Sequence, residues 1–342
     1  MDNLLTTLSA YQGQTALITD ETVASCQHKV VQQILQQLGA ETICLVIPSG
    51  ERAKTRAQKE QIEDELMAKG LSRDLCLIAL GGGVISDLVG FVAATYGRGV
   101  PWVAIPTTLL AMVDASLGGK VGVNTPYAKN MIGAFHPPEK VLVQLEFLTT
   151  LPTPQMQSGL AEIIKYALIA SRELFTSLEN EKVRWVKRDR DLLEEWVQAS
   201  CAIKLEVVAK DLHDHGRRHV LNLGHTVGHA LETCTCYQMS HGEAIALGMR
   251  METALSQRLG FLTLSEQMQI ETLFTSYGFP SKLPAEVTLD KLMTAMRLDK
   301  KSVHGQPRFV LLSKIGEPTP FDGAYCTAVD PELLREIWHC YK

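Results

Sequence analysis

Three histidines in the second half of the chain have the residue types and spacing of a metal site. His225 and His229 lie four residues apart in NLGHTVGHA, so a helix would present both on one face. His241 follows in HGE, where the chain could fold back onto that face. Three imidazoles suit zinc, copper, iron or nickel. The alternative is that the histidine pair only caps a helix or decorates its surface.

Glycines flank all three histidines, at Gly224, Gly228 and Gly242. A glycine inside a helix costs roughly 1 kcal/mol relative to alanine. The sequence therefore predicts that some other group approaches this backbone closely.

A charged pair earlier in the chain could complete the site. The segment GLAEIIKYALI places Glu162 and Lys165 one turn apart on a predicted helix that is otherwise apolar. Charged side chains are rarely buried without a partner. Glu162 is therefore a candidate fourth member of the histidine site.

The elements that must position these residues belong to a chain of 342 residues, which is long enough for two domains and a large core. Its composition, 46% hydrophobic and 21% charged with mean hydropathy near zero, is typical of a globular enzyme. A net charge of −5 and a pI near 6.1 argue against nucleic acid as a partner.

Membrane and secretory segments are not expected. The apolar runs, such as LCLIAL at residues 75–80, fall short of the roughly 20 residues that cross a bilayer. The first residues carry no basic region of a signal peptide. We therefore expect a cytoplasmic protein. Eight scattered cysteines are then expected to be free, buried thiols, and Cys234 and Cys236 lack the two-residue spacer of a zinc or redox motif.

Apolar runs alternate with helical segments in the first half of the chain. The runs are TALITD, ETICLVIP, LCLIAL and WVAIP, and they do not alternate in polarity. This pattern predicts a parallel sheet covered on both faces. After LPTPQ the pattern changes to long helical periods. We therefore predict an α/β nucleotide-binding domain with a parallel sheet over residues 1–150, and a mostly α-helical metal-binding domain over residues 151–342.

Loops that follow the predicted strands suit an anionic cofactor. GGGVISD, residues 81–87, could hold a pyrophosphate on bare amides at a helix N-terminus, although it is not GxGxxG and could be only a tight turn. Glu51 follows the second strand, where a ribose-binding acid would be useful. WVAIP delivers Thr107 and Thr108 to the same edge of the sheet.

A long, glycine-rich stretch at residues 114–137 carries Lys120, Lys129 and Asn130. Loops of this length inside a compact domain are usually functional. Two lysines near bare backbone amides suit an anionic ligand, whereas a solvated basic loop would carry more charge between them. We therefore expect this loop to bind a ligand.

Several separated motifs together resemble one family. They are GGGVISDLVGFVAATYGRG, PTTLLAMVDASLGGKVGVNTPYAKNMIGAFHPP, LEFLTTLP, GLAEIIKYALI, LNLGHTVGHALE and HGEAIALGM. These motifs, and their order along the chain, resemble those of 3-dehydroquinate synthase, a member of the sugar-phosphate cyclase family. The resemblance extends from about Asp20 to Lys301.

The resemblance implies a divalent metal, zinc or alternatively cobalt, held by Glu162, His225 and His241, with His229 lining the site instead of ligating. It implies that NAD lies over Asp20, Ser49, Gly50, Glu51, Arg52, Ala53, Lys54, Gly83, Val84, Ile85, Ser86, Asp87, Thr107, Thr108, Lys120, Lys129, Phe147, Leu148, Thr149 and Thr150. The sugar phosphate substrate would touch the metal ligands, Lys120, Asp114, Asn130, Lys165, Lys204, Arg218, Asn222, His229, Lys300 and Lys301. Arg98 would reach the site of a neighbouring subunit, which implies a homodimer.

The reaction implied by the resemblance converts 3-deoxy-D-arabino-heptulosonate 7-phosphate to 3-dehydroquinate and phosphate, the second step of the shikimate pathway. It proceeds by transient oxidation with NAD, phosphate elimination, re-reduction and aldol cyclisation. No net redox change results, so NAD would be a retained catalytic cofactor. Lysines and Arg98 would orient the phosphate and carboxylate.

The chain departs from the family pattern between residues 209 and 222. Leu212 and Asp214 stand where the family tends to have glutamates, and Arg217 stands where it has leucine. Asp214 keeps the charge on a shorter side chain, so we expect a weaker or water-bridged contact there. Ala128 replaces a usual glycine before Lys129.

Histidines in the same segment leave a further alternative. His213, His215 and His219 could bind a second metal, although a solvated loop is the favoured explanation for them.

Three other functions compete with the synthase. Another sugar-phosphate cyclase would keep the fold, but Lys204, Arg218, Asn222 and His229 together favour the dehydroquinate reaction. A metal-dependent polyol dehydrogenase of the glycerol dehydrogenase type would produce NADH and would not need Arg98 and the many lysines. A catalytically silent binding protein is disfavoured by the intact ligand residues.

Overall fold

The computed structural model describes residues 2–11, 13–127, 129–298 and 305–342. Lys300, Lys301 and Ala128, named above from the sequence, lie outside the described residues. The chain forms two compact units, Met1–Pro152 and Thr153–Lys342.

The first unit alternates strands and helices. Its elements are α1 (Asp2–Leu8), β1 (Thr15–Asp20), α2 (Glu21–Cys26), α3 (His28–Leu38), β2 (Ile43–Ile47), α4 (Arg56–Ala68), β3 (Cys76–Gly81), α5 (Gly83–Thr95), β4 (Trp102–Pro106), β5 (Lys120–Val123), β6 (Ile132–Phe135) and β7 (Lys140–Val141). Short 3-10 helices lie at Glu51–Ala53, Tyr96–Arg98 and Leu145–Thr150, and one π-helical turn lies at Ala111–Ala115.

A five-stranded sheet forms the centre of this unit, in the order β2-β1-β3-β4-β7, and every neighbouring pair is parallel. Strands β3 and β4 are buried along their whole length, because helices cover both faces of a parallel sheet. Strand β2, at the edge, is only partly buried. The parallel sheet predicted from the sequence is therefore confirmed.

The stretch at residues 114–137 is more regular than the loop that the sequence predicts. Strands β5 and β6 pair antiparallel within it, with Lys120 opposite Phe135 and Val123 opposite Ile132. Gly122 and Gly133 permit this pairing, since a Cβ on either would lie within 2.5 Å of a backbone oxygen. The glycines thus serve close pairing of the two strands.

The second unit is mostly helical. Its elements are α6 (Thr153–Ala170), α7 (Arg172–Asn180), α8 (Lys182–Val186), α9 (Arg190–Lys210), α10 (His225–Cys234), α11 (His241–Arg258), α12 (Leu264–Ser276), α13 (Leu289–Leu298), β8 (Leu312–Lys314), β9 (Glu317–Pro318) and α14 (Pro331–Tyr341). A 3-10 helix at Arg217–Asn222 precedes α10.

Helix α11 forms the centre of this unit. Almost every residue from Gly242 to Ser256 is buried, as expected for a helix that is surrounded by others. Helices α6, α10, α12 and α14 all pack against it. A capping box between Ser240 and Glu243 fixes its first turn, where His241 lies. The position of His241 is therefore fixed by the capping box at the start of α11 and by the helices that pack around α11.

All eight cysteines are free, as predicted. Only Cys76 is buried, however, and Cys26, Cys44, Cys236 and Cys340 are exposed, so the expectation of buried thiols is wrong for most of them. Within the described ranges, none of the helices combines the length and the apolar character needed to span a membrane.

Candidate active site

Helix α6 brings a buried ion pair into the interior of the second unit. Glu162 and Lys165, 0% and 1% exposed, lie one turn apart, and Oε2 of the carboxylate pairs with Nζ of the lysine. The ammonium also lies 4.9 Å from the centre of the Tyr166 ring. The pairing explains how two charges are tolerated on an apolar helix. The other carboxylate oxygen of Glu162, Oε1, is not used in this ion pair.

His225 begins α10 and directs one ring nitrogen at that carboxylate. Its Nε2 lies 3.5 Å from Oε1 of Glu162, while Nδ1 lies 3.0 Å from the backbone oxygen of Leu223. The carbonyl oxygen can only accept, so Nδ1 carries the proton and Nε2 is left for a metal. Burial lowers the pKa of this imidazole well below its ordinary value, which keeps it neutral, as a ligand must be.

His241, in the first turn of α11, approaches the same oxygen. Its Nε2 lies 3.3 Å from Oε1 of Glu162, and its Nδ1 lies 3.4 Å from Oε1 of Glu232. Burial alone would lower the pKa of His241, but the hydrogen bonds to the two carboxylates outweigh it and raise the pKa to about 9. The ring is therefore enclosed by negative charge.

One ligand atom from each of Glu162, His225 and His241 lies within 4.8 Å of the other two. A carboxylate oxygen and two imidazole nitrogens are ligands that zinc takes in catalytic sites, where a fourth position stays open. The three residues thus fit a single metal ion. His229 lies beside them, with its ring centre 5.3 Å from that of His225 and 6.5 Å from that of His241.

The glycines around the histidines allow helices to touch. A Cβ at Gly224 would lie 2.7 Å from the backbone oxygen of Ile245, and one at Gly242 would lie 2.5 Å from Cα of Ser158. The close approach predicted from the sequence is real, and the approaching groups are the backbones of α11 and α6. Gly224 also has φ +77°, which favours glycine for a second reason.

The segment before α10 holds Arg218 in the interior. The Asp211 carboxylate accepts hydrogen bonds from the backbone N–H groups of His215, Gly216 and Arg218 at 2.8–3.0 Å. Burial would raise the pKa of Asp211, but these bonds hold it below its usual range. The Arg218 guanidinium, 2% exposed, donates to the Leu212 oxygen at 2.7 Å. Lys204, on α9, is also buried.

The residues that depart from the family pattern make local contacts. Leu212 is exposed, and Arg217 stacks on the Tyr325 ring with its guanidinium carbon 4.5 Å from the ring centre. Asp214 has φ +64°, and its carbonyl oxygen lies 3.2 Å from Nε2 of His219. Among the described residues, His213, His215 and His219 do not form a three-ligand group, so the second metal site predicted as an alternative is not supported.

In the first unit, the residues expected to bind a cofactor follow the carboxyl ends of the strands. Asp20 ends β1, residues 49–54 follow β2, residues 83–87 open α5 after β3, Thr107 and Thr108 follow β4, and residues 147–150 lie in the 3-10 helix after β7. Because the strands are parallel, these segments share one edge of the sheet, where ligands bind in such folds.

Polar contacts tie this edge together. Lys54, 3% exposed, pairs with Asp87 and donates to Oδ1 of Asn130 at 2.5 Å. Glu51 accepts a hydrogen bond from Asn124 at 2.7 Å, and its carboxylate lies 3.7 Å from Nζ of Lys129. The β5–β6 loop is therefore fastened to the loop that follows β2.

The remaining candidates occupy different places in this unit. Ser49 donates to Asp20 at 2.9 Å, Lys120 begins β5, and Asp114 lies in the π-helical turn. Arg98 is exposed at the far end of α5 from Gly83. Since α5 has 13 residues, this end lies about 20 Å from its N-terminus.

Two buried carboxylates near the histidines were missed by the sequence analysis. Glu232 contacts His241 as described above, and its place seven residues after His225 could have indicated the same face of α10. Glu252 accepts a hydrogen bond from the backbone N–H of Gly224 at 2.9 Å. No local pattern indicates that contact, since it joins residues 28 positions apart.

Comparison with known proteins places the chain in a family. Models of the 3-dehydroquinate synthase N-terminal and C-terminal regions match residues 44–158 and 159–302. The chain is 43% identical over 316 residues to 3-dehydroquinate synthase of Acidithiobacillus ferrooxidans, covering 92% of this chain and 86% of the relative. It is 43% identical over 341 residues to 3-dehydroquinate synthase of Nitrosomonas europaea, covering 99% and 90%.

A solved structure gives the same result for the fold. The 2-epi-5-epi-valiolone synthase ValA of Streptomyces hygroscopicus subsp. jinggangensis, with NAD+ and Zn2+ bound, matches with a TM-score of 0.88 at 28% identity, covering 96% of this chain and 90% of that one. Since the two family models together match most of the sequence, from residue 44 to residue 302, the chain belongs to the 3-dehydroquinate synthase family.

Proposed function

We propose that the protein converts 3-deoxy-D-arabino-heptulosonate 7-phosphate to 3-dehydroquinate and phosphate, as a carbon–oxygen lyase of the shikimate pathway that uses NAD and one divalent metal ion. The observation that carries the proposal is the group of Glu162, His225 and His241, with its fully buried carboxylate and partly exposed His241, on a chain of the 3-dehydroquinate synthase family. Zinc is the proposed metal, because the ligands are those of catalytic zinc sites.

Oε1 of Glu162 and the Nε2 atoms of His225 and His241 would hold the metal. When bound, the metal polarises a substrate oxygen and NAD takes up and returns a hydride. Lys165 keeps Oε2 of Glu162 paired, so that Oε1 stays directed at the two imidazoles.

Side chains around the metal ligands would orient the sugar phosphate. Lys204 and Arg218 are buried cations, which suit the phosphate and carboxylate of the substrate. His229 and Asn222 flank His225 in the sequence, and we assign them to substrate hydroxyl groups. Lys165 and the metal ligands complete this set, and Lys300 and Lys301 remain proposed substrate ligands from the family resemblance.

The edge of the parallel sheet is the proposed NAD site. Gly82, the N-cap of α5, provides no side chain, so the N–H groups of the first turn can bind the pyrophosphate. Glu51 is the proposed ligand of a ribose, and Lys54 holds Asp87 and Asn130 in place beside it. Asp114, Lys120 and Asn130 are proposed to face the substrate as well.

We also propose a homodimer that works in the cytoplasm. The family resemblance supports it, and the position of Arg98 agrees: the side chain is exposed in the 3-10 helix that follows α5, about 20 Å from the N-terminus of α5. Such a residue can serve a neighbouring subunit more readily than its own.

The decisive experiment measures phosphate release from the heptulosonate phosphate by zinc-loaded protein with NAD, while absorbance at 340 nm is followed. We expect many phosphates per NAD without lasting NADH, and 3-dehydroquinate as the product. NADH that accumulates with a simple polyol, without phosphate release, would instead support the dehydrogenase. Phosphate release with a different carbocycle would support another cyclase.

A variant tests the metal centre within this proposal. Glu162→Gln alone would leave Lys165 as an uncompensated buried charge, which is strongly destabilising. The double variant Glu162→Gln/Lys165→Met removes both charges at similar volume, and we expect a folded protein with near-background zinc content and no phosphate release. Glu194→Ala, on the exposed side of α9, is the control. A zinc-replete double variant would disprove the ligand assignment.

A further inference from the structure

Helix α10 presents three polar side chains on one face. His225, His229 and Glu232 lie at positions i, i+4 and i+7, so each is about one turn from the next. Glu232 is 3% exposed, and its Oε1 lies 3.4 Å from Nδ1 of His241 on the neighbouring helix. The His241 ring thus lies between Glu232 at Nδ1 and Glu162 at Nε2.

The two histidines are held in the same way by different groups. Each directs Nε2 at Oε1 of Glu162 and uses Nδ1 for a contact with the protein. The acceptor for His225 is the neutral carbonyl oxygen of Leu223, whereas the acceptor for His241 is the carboxylate of Glu232. A carboxylate binds an N–H more strongly than a neutral oxygen does.

The position of Glu232 is unfavourable for a carboxylate unless it has such a partner. Burial of a charge is costly. Glu232 also lies in the last turn of α10, which ends at Cys234, and the C-terminal end of a helix repels an anion. Two separate penalties at one residue indicate that the negative charge is kept for what it does to His241.

We propose that Glu232 is the positioning residue of the metal centre: it accepts the Nδ1–H of His241, fixes the tautomer that leaves Nε2 for the metal, and adds negative charge that strengthens binding of a dication. This inference rests on the proposed metal centre and concerns a residue outside the ligand set. Outer carboxylates that hold ligating histidines in this way typically contribute 10–100-fold to metal affinity.

The test measures zinc affinity of the purified protein by competition with a chelator at fixed pH, together with the thermal midpoint of the metal-free protein. Glu232→Gln keeps the shape and removes the charge. We expect zinc binding to weaken about 10–100-fold, with an unchanged or higher metal-free midpoint because a buried charge is gone. A purely structural Glu232 would show the reverse: a lower metal-free midpoint and wild-type zinc affinity.

The visible spectrum of the cobalt-substituted protein gives a second measurement that does not depend on turnover. We expect the absorption bands of Glu232→Gln to shift, because a less firmly oriented His241 changes the ligand field. Wild-type bands together with wild-type zinc affinity would overturn the proposal. If Glu232→Gln does not fold, Glu232→Asp provides the same test, since its shorter side chain breaks the 3.4 Å contact and weakened zinc binding is again expected.

Two further variants distinguish a failure of the proposed role of Glu232 from a failure of the proposed metal centre. Glu243→Gln changes a carboxylate in the first turn of α11 that bonds to Ser240 at 2.7 and 3.0 Å, and we expect near-wild-type zinc affinity. His241→Ala removes a ligand and should lose zinc. Tight zinc binding by His241→Ala would disprove the metal centre, whereas loss in His241→Ala with wild-type affinity in Glu232→Gln would disprove only the role of Glu232.

Discussion

The contact between α10 and α11 predicts that a single methyl group at Gly248 displaces His225. A Cβ at this position of α11 would lie 1.9 Å from the backbone oxygen of Gly224, 2.8 Å from its carbonyl carbon and 3.0 Å from its Cα. All three are backbone atoms, so no side-chain rotation relieves the clash. The start of α10 must move by about 1 Å or more to restore ordinary packing distances, and His225 is the next residue.

The expected loss of stability follows from two contributions. Overpacking of this kind costs about 1–3 kcal/mol. The same movement stretches the buried hydrogen bond from Gly224 to Glu252, now 2.9 Å long, and a hydrogen bond to a charged group contributes about 1.5–3 kcal/mol. These two costs sum to about 2.5–6 kcal/mol, and the higher helix propensity of alanine offsets roughly 1 kcal/mol of them. Gly248→Ala should therefore lose roughly 3 kcal/mol, which lowers the thermal midpoint of a unit of this size by about 6–12 °C.

The assay combines thermal unfolding of the metal-free protein with zinc titration. A displacement of about 1 Å at a reacting group can cost on the order of 100-fold in rate, so zinc affinity and phosphate release should fall together. Gly228→Ala is the matched control on the same helix pair, because its Cβ would meet mainly the flexible end of Ile245 at 2.5 Å. Its midpoint should fall less. Gly248→Ala with the wild-type midpoint and zinc affinity would refute the reasoning.

Two further predictions concern other buried or paired groups. Lys54→Met removes the ammonium that pairs with Asp87 and donates to Asn130, so the free energy of unfolding, measured in urea, should fall by about 3 kcal/mol. The added change Asp87→Asn should recover part of the loss, and no recovery would contradict the pairing. Burial raises the pKa of Cys326, but the hydrogen bonds and positive charges of His219, 3.6 Å away, and of Arg308 outweigh burial and lower the pKa. Its thiolate should therefore persist to lower pH than that of an ordinary cysteine. In His219→Asn, alkylation of Cys326 by iodoacetamide should shift to higher pH, with part of the effect kept by Arg308, and identical pH profiles of the two proteins would contradict this.

The first four strands and the residues that follow them could be predicted from the sequence, whereas the short strand β7 was not predicted. Continuous apolar runs such as LCLIAL can be satisfied only inside a covered parallel sheet, and β3 is buried throughout. In such a sheet all carboxyl ends share an edge, and this explains the pairing of Lys54 with Asp87 across 33 positions, two residues that only the family resemblance had named. The β5–β6 pairing was missed, since its short strands are rich in glycine and resemble a loop.

Residue spacing predicts which histidines share a helix face, but it does not predict their partners on other helices. A four-residue interval places His225 and His229 on one face of a helix whatever surrounds it. It does not say which of them meets a third group. In the structure Oε1 of Glu162 lies 3.5 Å from His225 and 3.3 Å from His241, which are 63 and 79 positions away. The resemblance to a family suggested this set, and local pattern alone did not.

The sequence by itself therefore determined the local directions of side chains: which residues share a helix face, which follow a strand, and where glycine permits close approach. Only the tertiary structure decided the partners. Helices α6, α10 and α11 meet through Gly224, Gly242 and Gly248, and that packing brings His241 beside Glu162 on one side and Glu232 on the other. The physical reason is that hydrogen-bond periodicity acts within one helix, whereas contacts between helices depend on how their surfaces fit.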